Sequence, residues 1–144
     1  MFLFDDIDFV QTQDLPLADL WRFLPIGYLV TIAIETPILL LGLSPKVSFR
    51  QKLFCGAWLT ACTYPIVVLV LPAIFFDRPR SLYLFIAETF APVAECILFW
   101  LAFRNKALLE KNDWVRCIIA IVIANLASFG IGEILNSCQW FGLF

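Results

Sequence analysis

The chain has 144 residues, 62% of them hydrophobic, with 10 basic and 12 acidic side chains, no histidine and a net charge of −2. That hydrophobic content stands well above the roughly 45–50% apolar usage of soluble domains, and the mean hydropathy is +0.89. The absence of histidine excludes His-based zinc sites, the carboxylate/histidine di-iron pattern, and Ser-His or Cys-His catalysis. With no basic excess, nucleic acid is not expected as a partner.

The acidic N-terminal segment, residues 1–22, carries five Asp; Asp5, Asp6 and Asp8 lie beside Phe2, Phe4 and Phe9 and read as an acidic interfacial strip. No basic n-region and cleavage site precede the first apolar block, so a removable signal peptide is not expected. Four apolar blocks follow: Phe23–Leu43, Leu53–Phe76, Leu82–Phe103 and Val115–Leu135. Each is about 20 residues, the length a helix needs to cross a hydrocarbon core of about 30 Å. Stretches such as IVVLVLPAIFF and CIIAIVIANLA lack the polar face that a soluble helix would show. The expected fold is an all-α integral membrane protein: a first transmembrane hairpin over 23–76, an outer loop at 77–81, a second hairpin over 82–135 and a tail at 136–144. The lipid bilayer is its solvent, and so thin a bundle is expected to work as a homodimer or in a larger membrane complex.

Lys46, Arg50 and Lys52 separate the first two blocks, and Arg104, Lys106, Lys111 and Arg116 separate or flank the last two; the opposite side carries only Arg22, Arg78 and Arg80. The positive-inside rule then puts loops 44–52 and 104–116 in the cytoplasm and both termini outside. There is no CxxC pair. Cys55 and Cys62 share a helix face but read as small apolar packing residues. Ala124, Ser128 and Gly132 form a small-residue stripe, and Gly56 with Thr60 repeats it, as close helix approach requires.

Polar residues interrupt the blocks in a paired way. A mid-span Glu35 is followed across a basic loop by TACT, Thr60–Thr63; a mid-span Glu95 is followed by NLAS, Asn125–Ser128. Seven residues before each Glu stands another polar group, Tyr28 and Glu88. The pattern predicts a parallel internal repeat of two hairpins related by an axis along the membrane normal. Pro37, Pro65 and Pro92 lie inside spans, where each should kink its helix and release the carbonyl four residues earlier, at Ala33, Ala61 and Glu88.

A carboxylate facing acyl chains costs several kcal/mol, so Glu35 and Glu95 are expected to face inward. The candidate ligand-binding set is Glu35, Thr60, Thr63, Glu88, Glu95, Asn125 and Ser128, with Glu35, Glu88 and Glu95 as candidate metal ligands. All-oxygen ligation suits a hard divalent cation, and the same carboxylates could load and release protons. Cation or proton binding and transport is therefore the leading expectation, with Glu88 as an outer relay. A scaffold or assembly subunit, in which the polar groups only hold helices together, is the alternative. A lipid- or isoprenoid-modifying enzyme, with phosphate held by the basic loops, comes third; the inventory points away from an enzyme.

Overall fold

The computed structural model describes residues 17–75, 77–106 and 108–138. The acidic strip at residues 5–8 and most of the expected C-terminal tail lie outside them. The described residues form no strands. Four helices are long and apolar enough to cross a membrane, over Phe23–Gly42, Phe49–Ile74, Ser81–Phe103 and Lys111–Leu135. The first helix runs Leu17–Gly42, the third Arg80–Phe103 and the fourth Lys111–Ser137. The second runs Phe49–Pro65 and continues through a π-helical stretch, Ile66–Val70, into a last α-turn, Leu71–Ile74. The helices form a ring in which the first and third each pack on the second and fourth.

The second and fourth helices start before their apolar blocks because polar residues cap them. At the second helix, Ser48 and Gln51 form a capping box, with the Gln51 amide oxygen 3.0 Å from the Ser48 N–H. This satisfies two N-terminal donors reciprocally and starts the helix at Phe49. At the fourth, the Asp113 carboxylate reaches back to the Glu110 N–H at 3.1 Å. The C-terminus of the first helix is closed by two cations. Lys52 donates to the carbonyls of Leu40 and Leu43 at 3.1 and 2.8 Å. Arg116 donates to those of Gly42 and Leu41 at 2.8 and 3.2 Å. Both bases sit where the negative end of the helix dipole favours them. The two loops are further joined through Asp113, which accepts from Ser44 Oγ at 2.7 Å and lies 2.8 Å from the Lys46 ammonium.

Close approach depends on small residues. A Cβ at Gly56 would collide with the Thr36 hydroxyl and lie 3.1 Å from the Thr36 Cα; one at Gly42 would lie 2.6 Å from the Ala120 Cβ. The first and fourth helices thus approach closely at Gly42 and Ala120, one turn before Ala124.

The first and third helices continue through Pro37 and Pro92, and the first also contains Pro25. Only after Pro65 does the hydrogen-bond pattern change, widening to i→i−5, as when the Leu71 N–H donates to the Ile66 carbonyl. A missing donor at Pro65 and a second proline at Pro72 leave this stretch short of i→i−4 partners, and the π turn accommodates that.

Two apolar clusters flank the bundle's middle. Toward the basic loops, Leu39, Leu43, Leu59, Phe99, Cys117 and Ile121 are buried together. Toward the other end, Phe23, Tyr64, Val67, Val68, Leu71 and Tyr83 pack between the first three helices. The polar residues lie between them.

Candidate functional site

Glu35 and Glu95 are each only 2% exposed. Neither faces the outside of the bundle, so the cost of a carboxylate against acyl chains does not arise. Each of their four oxygens accepts one hydrogen bond. Glu35 takes Thr60 Oγ1 on Oε2 at 2.7 Å and Ser128 Oγ on Oε1 at 2.7 Å. Glu95 takes Thr63 Oγ1 on Oε1 at 2.9 Å and Asn125 Nδ2 on Oε2 at 2.8 Å. Six of the seven candidate site residues therefore meet in one network.

The pairing crosses between the hairpins. Each Glu takes one donor from its own returning helix, Thr60 or Asn125, and one from the other hairpin's, Ser128 or Thr63. Those second donors lie three residues after the first ones, on the same helix face. The sequence pattern named the participants and not this exchange, because hairpin spacing carries no information about how two hairpins dock.

The donors are chemically distinctive. Thr60 Oγ1 also lies 2.9 Å from the Gly56 carbonyl, Thr63 Oγ1 3.1 Å from that of Leu59, and Ser128 Oγ 2.9 Å from that of Asn125. A hydroxyl has one hydrogen and two lone pairs. Each can give its hydrogen to an ionised carboxylate, or turn it to the backbone and accept from a protonated one. Either state of the carboxyl is satisfied by rotating a hydroxyl. Asn125 differs, because Nδ2 has two hydrogens and uses both, toward Glu95 Oε2 and the Ile121 carbonyl at 3.0 Å. That nitrogen cannot accept, so a proton on Glu95 belongs on Oε1, facing Thr63. The backbone oxygens that join the network are those of Gly56, Leu59, Ile121 and Asn125, not those of Ala33 and Ala61 expected from the prolines.

Glu88 stands apart, one stripe position and about 10 Å along the third helix from Glu95. It lines the same cavity, of about 70 Å³, as Glu35 and Glu95. Sequence reasoning missed Thr31, Tyr64, Phe129 and Gly132 in that wall. The signal was present: Tyr64 and Val67 follow Thr60 at i+4 and i+7, and Phe129 and Gly132 follow Asn125 likewise. The Tyr64 hydroxyl is buried without a hydrogen-bond partner and packs against Gly27, where a side chain would collide with it. Tyr28, seven residues before Glu35 as Glu88 is before Glu95, donates instead to the Ala57 carbonyl at 2.9 Å.

Among the described residues no three His, Cys, Asp or Glu side chains cluster closely enough to hold a metal ion. Cys55 is buried in the loop-end core and Cys62 half-buried, as packing residues are. Of the loop bases offered as phosphate ligands, the Lys52 ammonium is held by the first helix's carbonyls and Arg104 lies over the Trp100 ring at 5.0 Å.

Fold and site together define an all-helical bundle with four candidate membrane-crossing helices and a buried pair of glutamates between them. Comparison with known protein families, curated proteins and solved structures finds no match for the chain.

Proposed function

We propose that this is a small multi-pass membrane transporter or channel-like protein whose paired glutamates, Glu35 and Glu95, load and release protons near the midplane. The observation that carries this reading is the donor set: three hydroxyls, each able to satisfy its carboxyl oxygen whether or not that carboxyl is protonated. A hard divalent cation is a poorer fit. It needs six or more oxygen ligands, and here hydroxyl and amide hydrogens already occupy one site on every carboxylate oxygen.

In this reading the two hairpins are a parallel repeat, with Glu35 and Glu95 equivalent and the termini on the outer side of the membrane. The loops at 44–52 and 104–116 are cytoplasmic. The test is proton flux into proteoliposomes containing a trapped pH-sensitive dye. Glu35→Gln and Glu95→Gln each abolish flux and leave insertion intact; full flux in both variants overturns the proposal.

The saturation of all four carboxylate oxygens also suits a second reading, in which the network is interhelical glue in a scaffold subunit. Co-purification separates the two. A partner complex that survives Glu35→Ala and falls apart on deleting residues 1–18, with no proton flux from the purified chain, would establish the scaffold.

A further inference from the structure

The cavity beside the glutamates is lined from one direction only. Counting from Glu35, Thr60, Glu95 and Asn125, its lining extends to Thr31, Val67, Ala87 and Gly132, all toward the Asp77–Pro79 end of the bundle. No lining residue lies on the basic-loop side of the glutamates. On that side Leu39, Leu59, Phe99 and Ile121 are each at most 1% exposed and form a closed apolar layer.

The two hairpins also differ at the open end. Equivalent lining positions are separated by 60 residues on the leading helices and by 65 on the returning ones: Glu35 with Glu95, Thr60 with Asn125, Tyr64 with Phe129, Val67 with Gly132. Where the first hairpin has Val67 and Tyr28, the second has Gly132 and Glu88. Val67 stands on the wall as part of the apolar cluster at that end and Tyr28 is tied to Ala57, so the first hairpin offers the cavity bulk and no carboxylate there. The second has a residue with no side chain and a carboxylate on the cavity wall.

We infer that the cavity is a water-filled half-channel, entered between the third and fourth helices past Glu88 and Gly132, which connects Glu95 and Glu35 to the solvent at the Asp77–Pro79 end alone. Its volume of about 70 Å³ exceeds several-fold the roughly 10–15 Å³ needed to admit one water, room for a few waters along the roughly 10 Å from Glu88 to Glu95. The carboxylates and hydroxyls of the wall, among them Thr31, Glu88, Thr60 and Ser128, supply the two to four polar contacts that each such water needs. Glu88 is the entry carboxylate, and Gly132 keeps the passage open. The inference rests on the proton-site reading for its purpose and not for its geometry.

Hydroxyl-radical footprinting of the full chain in nanodiscs tests it, because radicals form only where water is. Phe129 on the cavity wall and Phe99 in the apolar layer are the same residue type with the same intrinsic reactivity. Phe129 is expected to be modified at least 10-fold faster than Phe99, and Gly132→Leu to reduce modification of Phe129 and Tyr64 at least 5-fold. Equal rates at Phe129 and Phe99 overturn the half-channel, and the wild-type comparison decides even where Gly132→Leu does not fold. Footprinting does not depend on transport. The expected labelling with flux retained in Glu35→Gln and Glu95→Gln would sink the proton-site reading and leave the water route standing. Flux lost in those variants with Phe99 labelled as fast as Phe129 would do the reverse.

Discussion

The exchange of donors between hairpins can be measured as a coupling energy. Ser128→Ala removes the hydroxyl that the second hairpin lends to Glu35, and Glu35→Gln removes the carboxylate that receives it at 2.7 Å. In water, a hydrogen bond to a charged group contributes about 1.5–3 kcal/mol. Between membrane helices the unfolded reference also finds partners, and measured couplings average about 0.6 kcal/mol with a maximum near 1.7. Ser128 is half-buried while Glu35 is almost wholly buried, and in Glu35→Gln the Ser128 hydrogen can turn to the Asn125 carbonyl, 2.9 Å away. The membrane scale therefore governs, and a coupling of about 0.6–1.7 kcal/mol is expected. The assay is a double-mutant cycle read by reversible unfolding in mixed micelles, using tryptophan fluorescence. Coupling of Ser128 to Glu95 is the control, because Thr63 and Asn125 occupy that carboxylate. If Ser128 couples no more strongly to Glu35 than to Glu95, the exchanged pairing is wrong.

Three further perturbations probe how the bundle is held. Gly56→Ala gains about 1 kcal/mol of helix propensity but forces the first and second helices apart at Thr36, where overpacking costs about 1–3 kcal/mol. A net loss of stability in the same unfolding assay is expected, and a gain would mean the helices are not that close. Lys52→Ala uncaps the Leu40 and Leu43 carbonyls and should speed amide exchange over residues 40–44, the end of the first helix, while residues 28–35 stay protected; unchanged exchange at 40–44 would refute the capping role. Lys46 is held above its ordinary value of 10.5 by Asp113 first and Glu110 second. A base raised in the folded state contributes its stability fully below the unfolded value and loses it as pH climbs through the folded one. The Lys46 contribution should thus be flat from pH 6 to pH 9 and fade only above about 10.5, seen as a pH-dependent difference in melting temperature between wild type and Lys46→Ala.

Much of this was legible in the residues. Block length and the absence of polar faces gave four helices. The cost of charge in hydrocarbon turned Glu35 and Glu95 inward, and i, i+3 spacing put Thr60 with Thr63 and Asn125 with Ser128. What escaped was tertiary. Lys52 and Arg116 looked like topology signals because nothing local shows that a neighbouring helix ends beside them. Pro37, Pro65 and Pro92 each predict a kink from sequence; the first and third helices run on through Pro37 and Pro92, and only Pro65, with a second proline at Pro72, is followed by a π turn. Gly132 and Phe129 were read as packing or passed over, since periodicity marks which residues share a face and not which face encloses space.

The reciprocal loan of hydroxyls has one more implication. Neither half of the chain can complete its own carboxylate, so a lone hairpin leaves one glutamate oxygen without a donor. Two copies of a single hairpin, docked about a two-fold axis, would each supply what the other lacks. On the proposed parallel repeat, this is the geometry of a homodimer written into one polypeptide, with the halves differing where Tyr28 stands against Glu88 and Val67 against Gly132.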